Sequence, residues 1–194
     1  MNLKKDTILK PKMEIKEEKK ESKTEESAEV LKNPFASKEC IDILNFRIEQ
    51  EEQSSRLYQS MSLYLNNEGF MGAAKAWARD AEDEMKHAQW AKDFLLDMGI
   101  QPLLPALKQP QQTFEGLCDI MEKTYEHEIV VTQQCNDLAS HALKYNNHLL
   151  YQLALKYLAE QQEEISRTIT NLDKLRSFGE DKIALRLFDT ELGQ

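Results

Sequence analysis

Four long stretches of this chain repeat apolar residues at alternating steps of three and four, and in each a carboxylate interrupts the series near its middle. The first stripe runs Ile41, Leu44, Ile48, Glu51, Ser55, Tyr58, Ser62 and Leu65. The second runs Trp77, Ala81, Glu84, Ala88, Ala91, Leu95 and Met98, and the third Leu117, Met121, Thr124, Glu128, Val131, Cys135 and Leu138. The fourth runs Leu150, Leu153, Tyr157, Gln161, Glu164, Thr168, Leu172 and Leu175. This spacing is the period of a helix that turns one face toward a shared core. The acids Glu51, Glu84, Glu128 and Glu164 lie too far from the helix ends for capping or the helix dipole to explain them. A carboxylate on a core face costs several kcal/mol unless a cation meets it there. The four stripes as counted carry no Lys or Arg, and His87 stands three residues after Glu84. Four carboxylates and an imidazole at one level of a bundle therefore point to bound metal.

Turn signals set the order of the elements. The first helix is predicted from Ser37 as N-cap to about Leu65, where Asn66-Asn67-Glu68-Gly69 forms a tight turn. The second runs from about Phe70 to Met98 and stops at Gly99. A connection with Pro102, Pro105 and Pro110 leads to a third helix from about Thr113 to Leu143. Tyr145-Asn146-Asn147 then turns into a fourth, ending near Phe178. A short fifth helix over about 181–192 carries Ile183, Leu187, Phe188 and Leu192, apolar residues with no place on the four stripes. A helix of about 28 residues is about 42 Å long, and the connection of about 14 residues spans about 46 Å when extended. It can run the length of the bundle, which makes the second and third helices parallel. The fold class is all-α: a four-helix bundle of two hairpins joined by a long crossover, with a short C-terminal fifth helix.

Composition narrows the setting. Of 194 residues only 6 are Gly and 5 Pro, which suits long uninterrupted helices. The net charge of −9 argues against nucleic acid as a partner and suits a protein that attracts cations. No apolar run approaches the length of a membrane span, and no secretory h-region follows Lys4 and Lys5. Cys40, Cys118 and Cys135 form no C-x-x-C pair and read as reduced thiols of a cytoplasmic protein. Residues 1–36 form a Lys/Glu-rich extension with too little apolar surface to offset its ordering entropy, and they are expected to be disordered. The folded domain is expected over 37–194.

Taken together and in order, these segments resemble the non-haem ferritins of bacterial type, within the ferritin-like di-iron family. The resemblance rests on Glu51-Glu52-Gln53-Ser54-Ser55 with Tyr58, and on Gly69-Phe70-Met71-Gly72-Ala73-Ala74. It continues through Asp83-Glu84-Met85-Lys86-His87, Tyr125-Glu126-His127-Glu128 and Glu160-Gln161-Gln162-Glu163-Glu164. It implies a ferritin-like bundle with a ferroxidase centre, in which Glu51, Glu84 and His87 bind one iron and Glu84 bridges to a second. Glu128 ligates the second iron, with Gln161 beside it and Glu164 as a further ligand. Asp83, Glu160, Glu163 and Glu164 occupy the positions of a third iron site, and Asp83 is one methylene shorter than the Glu usual there. Tyr58 matches the tyrosine beside the centre, an electron donor to oxygen.

The resemblance further implies oxidation of Fe(II) by O2 or H2O2 and storage of Fe(III) mineral in a hollow cage. The cage would be a homo-oligomer of about 24 subunits with closed symmetry. Its fifth helix would pack around the four-fold axis. Two other readings share parts of the pattern. Met85 matches the haem-ligating methionine of bacterioferritins, whose second E-x-x-H in the fourth helix is replaced here by Glu160-x-x-Glu163 and Gln161-x-x-Glu164, without histidine. A di-iron oxidase or peroxidase of rubrerythrin type would usually add a cysteine-ligated iron module, for which this chain has no C-x-x-C pair. Of the remaining histidines, His127, His141 and His148 are expected at surfaces or interfaces, and Trp77 and Trp90 in packing.

Overall fold

The computed structural model describes residues 37–179 and 181–194. The extension expected to be disordered at 1–36 lies outside the described residues. Within them the regular structure is five helices and no strand: α1 Lys38–Asn67, α2 Met71–Asp97, α3 Leu117–Lys144, α4 His148–Phe178 and α5 Lys182–Leu192.

Local chemistry sets the helix ends. Ser37 caps α1 by accepting from the Cys40 N–H at 3.3 Å, and Asn147 caps α4 by accepting from Leu150 at 3.0 Å. Three C-termini end in the same way, with a left-handed residue followed by an N–H that reaches back five residues. Phe70 N–H donates to Leu65 C=O after Gly69 (φ 76°). Asn147 does so to Ala142 after Asn146 (φ 53°), and Ile100 to Leu95 after Gly99. This is the Schellman closure, and it makes the α1–α2 and α3–α4 connections tight. The α3 helix starts at Leu117, four residues later than the pattern predicted. Gly116 takes φ 124°, outside any helix, and the Asp119 carboxylate accepts the Glu115 N–H at 2.9 Å.

The crossover runs along α1 in α1's own direction. Leu103 N–H donates to Asn45 at 3.0 Å, Lys108 N–H to Gln53 at 2.9 Å, and Ser60 donates to the Gln111 C=O at 2.6 Å. Because α2 is antiparallel to α1, this path brings α3 to the end where α2 begins, and α2 and α3 are parallel as expected.

The interior divides into two apolar clusters, one toward each end of the bundle. One gathers Met61, Leu65, Trp77, Leu117 and Leu172; the other gathers Leu44, Ile48, Leu95, Val131 and Leu150. Each fully buried Leu or Ile contributes about 1.5–3 kcal/mol. The four acids of the stripes lie in neither cluster. In two respects the interior differs from the counted pattern. Arg47 is buried, at 2% exposure, although the stripes as counted held no cation. The steps 44–47–51 are as valid a three-four series as 44–48–51, so position 47 faces inward too. Phe188, which has no place on the four stripes, is buried against Phe178.

α5 is locked to the start of α2. Asp189 accepts the Ala73 N–H at 2.8 Å, and Arg186 donates to the Gly69 C=O. At Gly72 the two backbones touch: a Cβ there would stand 1.7 Å from the Asp189 carbonyl oxygen. Gly72→Ala should therefore push α5 off its seat at a cost of about 1–3 kcal/mol. A lowered Tm, with faster release of α5 by added protease while α1–α4 persist, is the expected result. Unchanged Tm and cleavage would contradict the close approach.

Candidate metal centre

The two hairpins bring the stripe acids together at mid-bundle. Glu51, Glu84, Glu128 and Glu164 are all buried, as are His87 and Gln161. Glu51, Glu84 and His87 offer ligand atoms within 4.8 Å of one another, and so do Glu84, Glu128 and Glu164. Glu84 belongs to both groups, the placement a bridging carboxylate needs. Two of the oxygens, Glu51 Oε2 and Glu84 Oε1, are buried without a hydrogen-bond partner among the described residues. Left ionised, such acceptors are costly until a cation arrives; short of that, a proton on Glu84 can be shared with Glu51.

The surrounding groups fix the ligands. Tyr58 donates its hydroxyl to Glu128, and the Gln161 amide donates to Glu128 Oε2 at 3.2 Å and to Glu164. The Gln161 amide oxygen, the atom that would ligate, accepts from Thr132 at 2.8 Å. Gln161 thus clamps the two acids as a donor. His87 Nδ1 lies 3.3 Å from Glu84 Oε2, and Tyr157 donates to the His87 carbonyl at 2.6 Å. The His87 ring also packs on Trp90, with centroids 4.7 Å apart. Holding a ligand by its neighbours in this way tunes and orients a metal site.

The expected third-site residues divide. Glu160 joins His87 and Glu164 in a third group of ligand atoms within 4.8 Å. Asp83 and Glu163 belong to none of the three groups; Asp83 pairs with Lys86 at 2.6 Å, and Glu163 is exposed. Met85 is exposed as well. Among the other histidines, His127 was expected at a surface or interface, yet it is half-buried beside the centre. Its Nε2 is 2.8 Å from Ser54 Oγ, and its ring meets Tyr58 edge-on. It joins no ligand group. The residue missed outright is Arg47, whose Nε pairs with Glu51 Oε1 at 2.8 Å. Its signal was the i, i+4 spacing to Glu51.

Burial governs the protonation of these side chains. Glu84 is held well above the usual carboxylate range by burial first and then by the Glu51 charge. Glu164 is pushed up to about 9 by burial and then by Glu128. Glu128 is raised by burial, against the opposing hydrogen bonds of Tyr58 and Gln161. Burial lowers His87, leaving a neutral imidazole with a lone pair to give.

A ferritin-like domain model matches residues 41–178 of the chain. The chain belongs to the ferritin-like family. Its curated relatives include a bacterial non-heme ferritin of Escherichia coli, 34% identical over 154 residues, spanning 79% of this chain and 93% of that protein. A bacterial non-heme ferritin of Campylobacter jejuni is 33% identical over 153 residues, with 79% and 92% covered. Among solved structures, the open pore ferritin of Archaeoglobus fulgidus superposes with a TM-score of 0.80 at 32% identity, covering 81% of this chain and 97% of that one. In this ferritin-like chain the ligand groups fall on all four bundle helices, within the matched region.

The protonation pattern gives a pH test on the apoprotein. The folded-state values of Glu84, Glu128 and Glu164 lie above the ordinary 4.5. The stability they contribute is full below about pH 4.5 and is lost as pH rises through the folded values, toward about 9 for Glu164. Apoprotein Tm should fall across this window, and binding of Zn²⁺ at pH 7 should release protons, fewer as pH approaches 9. Calorimetry in buffers of different ionisation enthalpy measures the release. A binding reaction that releases none would contradict the protonated centre.

Proposed function

We propose that this chain is the subunit of an iron-storage cage that oxidises Fe(II) at the centre built from Glu51, Glu84, His87, Glu128 and Glu164. The observation that carries this reading is Glu84, shared between two compact groups of buried ligand atoms, with partnerless oxygens on Glu51 and Glu84. The names of the bacterial non-heme ferritins to which the chain is similar support it. Carboxylate oxygens with one imidazole suit Fe²⁺, and hard anionic oxygen favours Fe³⁺ still more. Two substrate irons on either side of Glu84 each lose one electron. O2 takes up those two electrons and two protons and leaves as H2O2. Where H2O2 is the oxidant, it takes two electrons and two protons to give two waters. Tyr58, with a hydroxyl held protonated by burial, sets an oxidisable phenol one hydrogen bond from Glu128. Fe(III) then leaves the half-open side of the centre at Glu160 for mineral growth in the cage. No described helix is long and apolar enough to cross a membrane, and the reading places the cage in the cytoplasm.

α5 supports assembly. Ile183 and Leu187 stand one turn apart and are 74% and 68% exposed, while Phe188 points into the subunit. An exposed apolar pair on a helix fixed to its own bundle suits burial between copies around a symmetry axis, in a cage of about 24 subunits.

Two experiments test the reading. Glu84→Ala should slow the stopped-flow oxidation of Fe(II) by more than about 100-fold, beyond the loss typical of residues outside the ligand set. Its assembly, sized by light scattering, should stay intact; wild-type rates in the variant would rule out the centre. Truncation after Gly179 should break or weaken the cage and abolish retained mineral, while the first two irons per subunit still oxidise quickly. A truncated protein that sizes as the full cage and fills with soluble mineral would overturn the role given to α5.

A further inference from the structure

Arg47 stands where the proposed chemistry has no use for it. It is among the largest fully buried side chains, it sits four residues before a ligand, and its charge has the same sign as the substrate. Its guanidinium spans two helices. Nε pairs with Glu51 Oε1, while Nη1 donates to Gln134 Oε1 at 2.9 Å and lies 3.9 Å from Cys135 Sγ. The guanidinium carbon is 6.0 Å from the centre of the Tyr157 ring. Gln134 is itself held by Gln50, its Nε2 donating at 3.2 Å. The remaining nitrogen, Nη2, is buried with no hydrogen-bond partner among the described residues.

A strut between α1 and α3 would not explain these contacts. A strut is best served by apolar packing, since burying an ion costs more than an isosteric hydrophobe. A guanidinium is permanently charged and cannot be neutralised by losing a proton. Among the described residues its one ion-pair partner is Glu51, a member of the first ligand group only; at longer range it also acts on His87 of that group and on Glu84, which both groups share. The group of Glu51, Glu84 and His87 includes its partner; the group of Glu84, Glu128 and Glu164 does not. A divalent cation entering the first group shares Glu51 with a fixed positive charge in a dry interior, where charges are poorly screened. A cation entering the second group meets that charge only at longer range.

We propose that Arg47 is a positioning residue that ranks the two metal positions. It holds Glu51 in place before metal arrives and keeps the Glu51/Glu84/His87 position weaker than the Glu84/Glu128/Glu164 position, so that a first divalent cation fills the latter. The weaker position is then the exchangeable one, and the centre has a built-in order of filling. This inference rests on the metal-centre reading above and adds to it the asymmetry between the positions.

Anaerobic calorimetric titration of the assembled apoprotein with Zn²⁺, a redox-inert divalent cation that takes the same ligand types, tests it. The wild type should show two classes of binding per subunit. Arg47→Gln should tighten the weaker class at least about tenfold and bring the two classes together. A merely structural Arg47 would give a lower Tm in Arg47→Gln with both Zn²⁺ affinities unchanged, and that result overturns the proposal. If Arg47→Gln fails to assemble, wild-type crystals soaked with one equivalent of Cd²⁺ decide by anomalous scattering. Density at Glu84, Glu128 and Glu164 supports the ranking, and density first at Glu51, Glu84 and His87 overturns it. Absence of any Zn²⁺ binding in the wild type would overturn the centre itself, whereas unchanged affinities in Arg47→Gln would overturn only the ranking.

Discussion

Four carboxylates share one buried layer between two apolar clusters, and the cost of keeping them there shapes everything around them. A buried charge is tolerated only when it is neutralised, hydrogen-bonded or paired. All three remedies occur here. Burial raises Glu84, Glu128 and Glu164 above the ordinary carboxylate value, Glu164 to about 9. Tyr58 and Gln161 donate to the acids of α3 and α4. Arg47 pairs with Glu51. Even so, Glu51 Oε2 and Glu84 Oε1 remain unpartnered. The layer is stable enough to exist because the helices above and below it are closed by tight caps and packed on Leu, Ile, Met and Trp. It also stays unsatisfied enough to bind a cation.

That balance connects stability to function. Glu164, pushed up to about 9, holds its proton at neutral pH and must release it to bind metal, so metal binding and proton release are one event. A centre designed for storage must also let its product go. The ligands differ in how firmly they are held. Glu128 is fixed by two donors and His87 by a backbone contact from Tyr157, while Glu160 is half-exposed and lies 3.9 Å from His87 Nε2. On the proposed storage role, firm ligands on the buried side and a looser one toward solvent would give the metal a direction in which to leave.

The stripes made most of this legible. Each acid of the centre could be found because a polar residue in a three-four apolar series is conspicuous, and the prolines with about 14 residues of connection after the second helix were enough to infer the crossover. What escaped had weaker signals. Arg47 was missed because a helix face is wider than one stripe, and two series through Leu44 and Glu51 are equally good. The inward turn of Phe188 depends on where α5 docks, which the contact at Gly72 decides and no periodicity encodes. The late start of α3 follows from a glycine at φ 124° and a side-chain cap four residues on, a local geometry that apolar spacing does not report. The donor role of Gln161 depends on Thr132, a neighbour on another helix.

The most direct measurement is anomalous diffraction at the iron edge on crystals loaded anaerobically with Fe(II). The centre as built requires two peaks per subunit, about 3.5–4 Å apart as in other two-metal sites. Glu84 should lie between them, His87 on one side and Glu128 with Glu164 on the other. Iron found only at the subunit surface, or a single peak away from Glu84, would contradict the account.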